Sequence, residues 1–207
     1  MKIVLIGQIA SGKGTLSQSL QKEFGFEPIS IGLLLRQESM LDTKEAKEIR
    51  ELLDRGSLVP DEVALAVLKK HLKQIGDKSI IFDGYPRNLK QAKSLNQIAK
   101  IDKVIFLDID EEVIRERFMG RRECEKCGYV SNVNYGDYQP TCPRCGGSFK
   151  KRGDNNEIAM LSKMNSFRED TLPVIDYYSK KGLLCKIDAT QSIEQIQKQA
   201  EEIIKSI

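Results

Sequence analysis

Two short stretches of this chain carry the residue types that could do chemistry. The first is GQIASGKGT at positions 7–15, which follows an apolar run at 3–6. Gly7, four residues, then Gly12 and Lys13 fits a phosphate-binding loop, with Gly14 standing between the lysine and Thr15. Glycine lets such a loop curl without a Cβ clash. The loop N–H groups then converge on an anion at a helix start. Lys13 would reach the β and γ phosphates of a nucleotide, and the Thr15 hydroxyl would serve a bound Mg²⁺. The plainer interpretation is a turn between a buried strand and a surface helix. A strand-like run directly before the loop favours phosphate binding.

The second stretch is Cys124-x2-Cys127, fourteen residues, then Cys142-x2-Cys145. Each pair is followed by glycine, Gly128 and Gly146, where a tight turn needs room. Four thiolates suit a tetrahedral Zn²⁺. The set leaves no open position for substrate, so this metal would be structural, holding a segment too small to build a core. Disulfides and an iron–sulfur cluster are the rival uses, the disulfides disfavoured in a reducing compartment. The intervening residues, with Tyr135, Gly136 and Tyr138, resemble a small two-stranded ribbon. Such ribbons often bind nucleic acid, but this one sits inside an α/β chain and is flanked by arginines, which favours a lid. Cys185 stands alone in an apolar stretch and reads as a small buried hydrophobe.

Around these stretches lie charges suited to phosphoryl transfer. Arg36, Arg87, Arg117, Arg121 and Arg152 each fall near a predicted loop or element end. Moving a phosphoryl group to an anionic acceptor needs positive charge and positioning more than a base. It also needs closure over the site, or water would take the phosphoryl group. Asp83 ends an apolar run opposite the phosphate loop, where it could hold Mg²⁺ through water or simply cap a helix.

The elements that must position these groups alternate. Strand-like runs at 2–6, 26–30, 79–82, 103–107 and 183–187 are separated by helical patterns, among them 63–72, 91–98, 111–119 and 192–204. Asp61 is expected to cap the helix that follows it, and another helix runs from Asn156 to about Asp170. This alternation predicts a parallel sheet covered by helices, with ligands beyond the strands' carboxyl ends. Residues 30–60 read as a small helical flap. The chain has 207 residues and a net charge of +3, which implies no broad nucleic-acid-binding field. No apolar run is long enough to span a membrane, and the start has no signal-peptide pattern, so a cytoplasmic protein is expected.

Taken together, GQIASGKGT, LLLRQ at 33–37, DRGSLVPDE at 54–62, FDGYPRN at 82–88, RFMGRR at 117–122, the four cysteines, RGDNNE at 152–157, PVIDYY at 173–178 and DAT at 188–190 resemble the adenylate kinases. The likeness is to their long form with a zinc-bearing lid, and it spans nearly the whole chain. It implies a P-loop NTPase three-layer sandwich around a five-stranded parallel sheet. The core would comprise 1–29, 61–120 and 155–207, the monophosphate-binding flap 30–60 and the zinc lid 121–154. By the same resemblance ATP-Mg would meet Gly12, Lys13, Gly14, Thr15, Leu16, Arg117, Arg121, Ser131, Asn132 and Gln191. The acceptor would meet Ile31, Arg36, Ser57, Leu58, Val59, Gly84, Arg87, Gln91, Arg152 and Lys163. Lys13, Arg87, Arg121, Arg152, Asp154 and Lys163 would form the catalytic set, with Mg²⁺ served through water by Thr15 and Asp83.

The implied reaction is ATP + AMP = 2 ADP, by a monomer with no membrane or nucleic-acid partner. This chain departs from the family pattern at Ile31 and Leu33, where a threonine and an aspartate are usual. It also departs at Lys163 in place of arginine, at Ser131-Asn132 in place of a tyrosine–histidine pair, at Asn155 in place of aspartate, and at Ala189 in place of glycine. The alternatives are a kinase for another nucleoside monophosphate or a small alcohol, and a weakly active or non-catalytic ATP-binding module.

Overall fold

The computed structural model describes residues 1–54, 59–135, 138–151 and 155–207. Among these, the strands β1 (Lys2–Gly7), β2 (Glu27–Ser30), β3 (Ile80–Asp83), β4 (Lys103–Asp108) and β8 (Leu184–Asp188) form one parallel sheet in the order β2-β3-β1-β4-β8. The runs IVLI, IIF and VIFL are continuous because the sheet is buried on both faces. Successive side chains alternate between those faces. Val4, Ile6, Phe82, Val104 and Phe106 enter one core, and Ile3, Leu5, Ile81, Ile105 and Leu107 enter the other.

The first core is covered by α4 (Asp61–Ile75), α5 (Leu89–Ile98) and α8 (Leu172–Lys180), which contribute Leu68, Leu95 and Tyr178. The second is covered by α1 (Lys13–Phe24), α6 (Glu111–Gly120), α7 (Glu157–Ser166) and α9 (Ile193–Lys205), through Leu20, Phe118, Met164 and Ala200. The result is a three-layer sandwich. The chain leaving β1 enters α1 on one face, whereas the chain leaving neighbouring β3 enters α5 on the other. Such divergence opens a crevice at the strand carboxyl ends.

Two appendages depart from this frame. Helices α2 (Ile31–Glu38) and α3 (Lys44–Asp54) lie between β2 and α4. The cysteine segment forms a three-stranded antiparallel sheet, β6-β5-β7, from β5 (Arg121–Cys124), β6 (Val130–Asn132) and β7 (Phe149–Lys150). The expected ribbon of two strands thus has a third: the chain returns after the second knuckle and pairs Phe149 with Cys124.

Other boundaries moved for local reasons. Pro60, not Asp61, caps α4, and Asp61 lies inside the first turn with its carboxylate turned to α5. The helix after Asn156 gives way at Phe167 to a π-helical turn, Phe167–Thr171, before α8 begins. Cys185 is only half-buried on β8, so it is not the core residue expected. No described helix is long and apolar enough to cross a membrane.

Candidate active site

The phosphate loop is built by close approach. A Cβ on Gly7 would stand 2.6 Å from Ser11 Oγ and 2.9 Å from the Leu107 carbonyl oxygen, so only glycine fits where β1 meets the loop. Gly12 caps α1 with φ 92°, a left-handed conformation, and Ala10 is also left-handed at φ 58°. The first helical bond runs from Leu16 N–H to Gly12 O at 2.9 Å. The N–H groups of Lys13, Gly14 and Thr15 therefore belong to the open end of the helix. Leu16, expected among the nucleotide contacts, instead has its N–H committed to the helix and its side chain in the core.

Lys13 Nζ donates to Gly7 O at 2.8 Å and Gln8 O at 2.7 Å. Burial pulls its pKa down to about 8. Asp83 opposes that fall, and the charges of Arg87 and Arg121 add to it. Three other charges expected at the site therefore bear on Lys13. Leu5 of β1 pairs with Asp83 of β3, which fixes this juxtaposition by sheet register.

The segment after β3 turns back to cradle Arg87. Gly84 takes φ 73°, Tyr85–Pro86 is cis, and Arg87 Nε donates to Gly84 O at 2.9 Å. Desolvation works against the Arg87 charge while Asp83 sustains it. Arg87 N–H donates to Gln91 Oε1 at 2.7 Å, and Gln91 Nε2 donates to Asp61 Oδ1 at 2.6 Å. Gln91, expected against the acceptor base, is buried and uses its carboxamide to fix this turn. Arg36 is exposed on α2, its guanidinium beside Gly32. Ile31 is 5% exposed and packs into the first core, so its side chain does not face the crevice as expected, while neighbouring Leu33 is 48% exposed. Val59 is half-buried against that core.

On the other side of the loop, Arg117 NH1 donates to Ala189 O at 2.8 Å, and its Cζ lies 5.2 Å from the Tyr135 ring centroid. Tyr135 is held there by its hydroxyl, which donates to Glu116 Oε2 at 2.7 Å. Ser131 and Asn132, both expected at the nucleotide, are consecutive on β6 and so point to opposite faces. Asn132 turns to α6, its Nδ2 donating to Arg117 O at 2.7 Å. Asn134 Nδ2 donates to Glu116 O at 3.2 Å, and buried Asn155 Nδ2 reaches Met119 O at 3.4 Å and Arg121 O at 3.3 Å. The carbonyls of Arg117 and Met119 are among the last four of α6, which the helix itself leaves without a partner. Gln191 Oε1 accepts from Gln199 Nε2 at 2.7 Å. Ser57, Leu58, Arg152 and Asp154 lie outside the described residues.

The cysteines converge. Their four Sγ atoms lie within 4.8 Å of one another, with 3.5 Å between Cys124 and Cys145 and 3.6 Å between Cys127 and Cys142. Sulfurs in tetrahedral Zn²⁺ coordination stand about 3.8 Å apart, so the donor set fits that ion. Both knuckles are built alike: Gly128 N–H donates to Cys124 O at 3.0 Å and Gly146 N–H to Cys142 O at 2.8 Å, with both glycines left-handed. None of the four is joined in a disulfide.

Sequence reasoning missed several supporting residues. Asn88 caps α5 by accepting from Gln91 N–H, a signature legible three residues upstream of the glutamine. Thr171 Oγ1 donates to Arg87 O from 84 residues away, and no local signal points to it.

A parallel three-layer sheet with a lysine-bearing glycine loop at its central strand defines a phosphate-loop nucleotide-binding protein. The family model described as adenylate kinase matches residues 5–183. An adenylate kinase from Archaeoglobus fulgidus is 35% identical over 215 residues, covering 100% of this chain and 99% of its own length. One from Thermodesulfovibrio yellowstonii is 37% identical over 204 residues, covering 95% of each. One from Methanosarcina barkeri is 36% identical over 213 residues, covering 99% of each. The chain belongs to the adenylate kinase family, and is by that membership a phosphotransferase acting between ATP and a nucleoside monophosphate.

Proposed function

We propose that this protein catalyses ATP + AMP = 2 ADP, with AMP as its preferred acceptor. The observation that carries the proposal is the lysine-bearing glycine loop after β1, with Lys13 Nζ held on the Gly7 and Gln8 carbonyls and the charges of Asp83, Arg87 and Arg121 bearing on it. An acceptor phosphate oxygen attacks the γ-phosphorus in line, the bond to the bridging oxygen breaks, and ADP departs with that electron pair. No base is needed, because the acceptor oxygen is already anionic. Lys13 and the N–H groups of Gly12–Thr15 hold the donor phosphates. Arg36 and Arg87 hold the acceptor phosphate, and Arg121, Arg152 and Lys163 stabilise the equatorial charge with Asp154 ordering the arginines. Arg117 and Tyr135 flank the donor base.

Mg²⁺, when bound, screens the β and γ phosphates, with Thr15 and Asp83 as the residues that would serve it through water. Zn²⁺ on Cys124, Cys127, Cys142 and Cys145 would hold 121–154 as a lid, opposite a flap at 30–60. The core would then comprise 1–29, 61–120 and 155–207. We assign the protein to the cytoplasm, as a monomer.

The test is a coupled assay of ATP-Mg with AMP, CMP, UMP, GMP and dTMP, with zinc measured on the same sample. AMP should give the highest kcat/KM. Faster transfer to another acceptor would overturn the preference. ATP binding without transfer to any of the five would overturn the activity.

A further inference from the structure

Phe118 is wholly buried on the last turn of α6, yet two cations approach its ring. Arg121 Cζ lies 4.8 Å from the ring centroid and Lys163 Nζ 5.5 Å from it. The two arrive from different elements, Arg121 at the start of β5 and Lys163 on α7. Arg121 is near enough to the phosphate loop to lower the pKa of Lys13. Two positive groups gathered about one ring repel each other. An aromatic face carries negative charge density that attracts both, and the burial of the ring and partial burial of the cations reduce the screening of that attraction. A leucine or isoleucine would fill the same core position without offering this attraction.

We infer that Phe118 is a positioning residue for phosphoryl transfer, its ring holding Arg121 and Lys163 together at the reacting end of the crevice. The inference rests on the roles given to those two cations above and extends them to a residue that touches no substrate. The ammonium of Lys163 lacks the planar fork by which an arginine fixes its own direction. The ring supplies a second point of attachment. Order of this kind lowers the barrier to transfer by fixing charge in advance, so its loss should appear in kcat before it appears in KM.

The test replaces position 118 with phenylalanine analogues bearing one, two and three ring fluorines, introduced site-specifically in the metal-loaded protein. Fluorine withdraws charge from the ring face and leaves its volume nearly unchanged. The expected result is a stepwise fall in kcat reaching about tenfold at three fluorines. KM for AMP should change less than twofold and the melting temperature should not fall. An unchanged kcat across the series overturns the inference, and so does a fall that tracks loss of melting temperature. A second readout needs no turnover: the Lys163 ε-methylene protons should resonate upfield in the parent protein and return to random-coil positions in Phe118→Leu. Absence of that upfield shift also overturns it. A parent protein that transfers phosphoryl to no monophosphate refutes the proposed function itself, and this inference with it.

Discussion

Lys13 provides the sharpest quantitative expectation, because its burial and its use pull in opposite directions. In the free protein its pKa falls from the ordinary 10.5 to about 8, chiefly through desolvation. At pH 9 such a group holds about 0.1 proton, and at pH 7 about 0.9. A polyphosphate placed against the ammonium favours the charged form and raises the pKa well above 9. Binding at pH 9 should therefore take up about 0.9 proton, against about 0.1 from this group at pH 7.

Affinity should fall about fivefold from pH 8 to 9 and about ninefold from pH 9 to 10. The measurement is isothermal calorimetry with a non-hydrolysable ATP analogue at pH 9, in buffers of different ionisation enthalpy. Lys13→Met should abolish the uptake. Uptake below about 0.3 proton in the parent protein at pH 9 would refute the reasoning. The linked effect on stability follows from the same numbers. Between pH 8 and 10.5 the unfolded chain binds more protons at this residue than the folded one. This group's contribution to stability therefore rises with pH across that window.

Gly7→Ala should lower stability by about 2 kcal/mol in urea denaturation, because its new Cβ meets Ser11 Oγ and the Leu107 main chain; a variant as stable as its parent would contradict the close approach. Arg87→Lys should reduce kcat about 100-fold in the coupled assay with little change in melting temperature, since the lysine keeps charge but loses the fork and the Nε bond to Gly84 O. Stripping with a chelator and thiol reagent should release one zinc per chain and abolish transfer. Far-UV circular dichroism should stay largely intact, because the parallel sheet and both its cores stand apart from the cysteine sheet.

Much of the frame was legible because its cause is local. Runs such as IVLI and VIFL reveal a doubly buried strand by composition, and the left-handed caps at Gly12, Gly128 and Gly146 sit where the motifs put glycines. The strand order was not legible, since nothing in the runs themselves says that β3 lies between β2 and β1. The site divided along the same line. Lys13 was read from its glycine loop, and Asp83, Arg87 and Arg121 from charge near element ends; the fold brings the last three to bear on Lys13. Gln91 and Asn132 were expected at ligands; here Gln91 bonds the Arg87 N–H and the Asp61 carboxylate, and Asn132 bonds the Arg117 carbonyl. A family pattern gives a residue's position and not the partner its side chain meets. Phe118 escaped notice because a buried aromatic at a helical spacing looks like ordinary core until the cations over it are placed.

The junction between α6 and the cysteine sheet is fastened by Asn132, Asn134 and Asn155, all uncharged. Dissolved salt weakens the pull between ions but leaves such neutral bonds nearly untouched. Ionic strength can thus adjust how firmly the arginines grip a polyanion while these amide bonds keep their hold, whereas the Tyr135 contacts with Glu116 and Arg117 at the same joint involve charge.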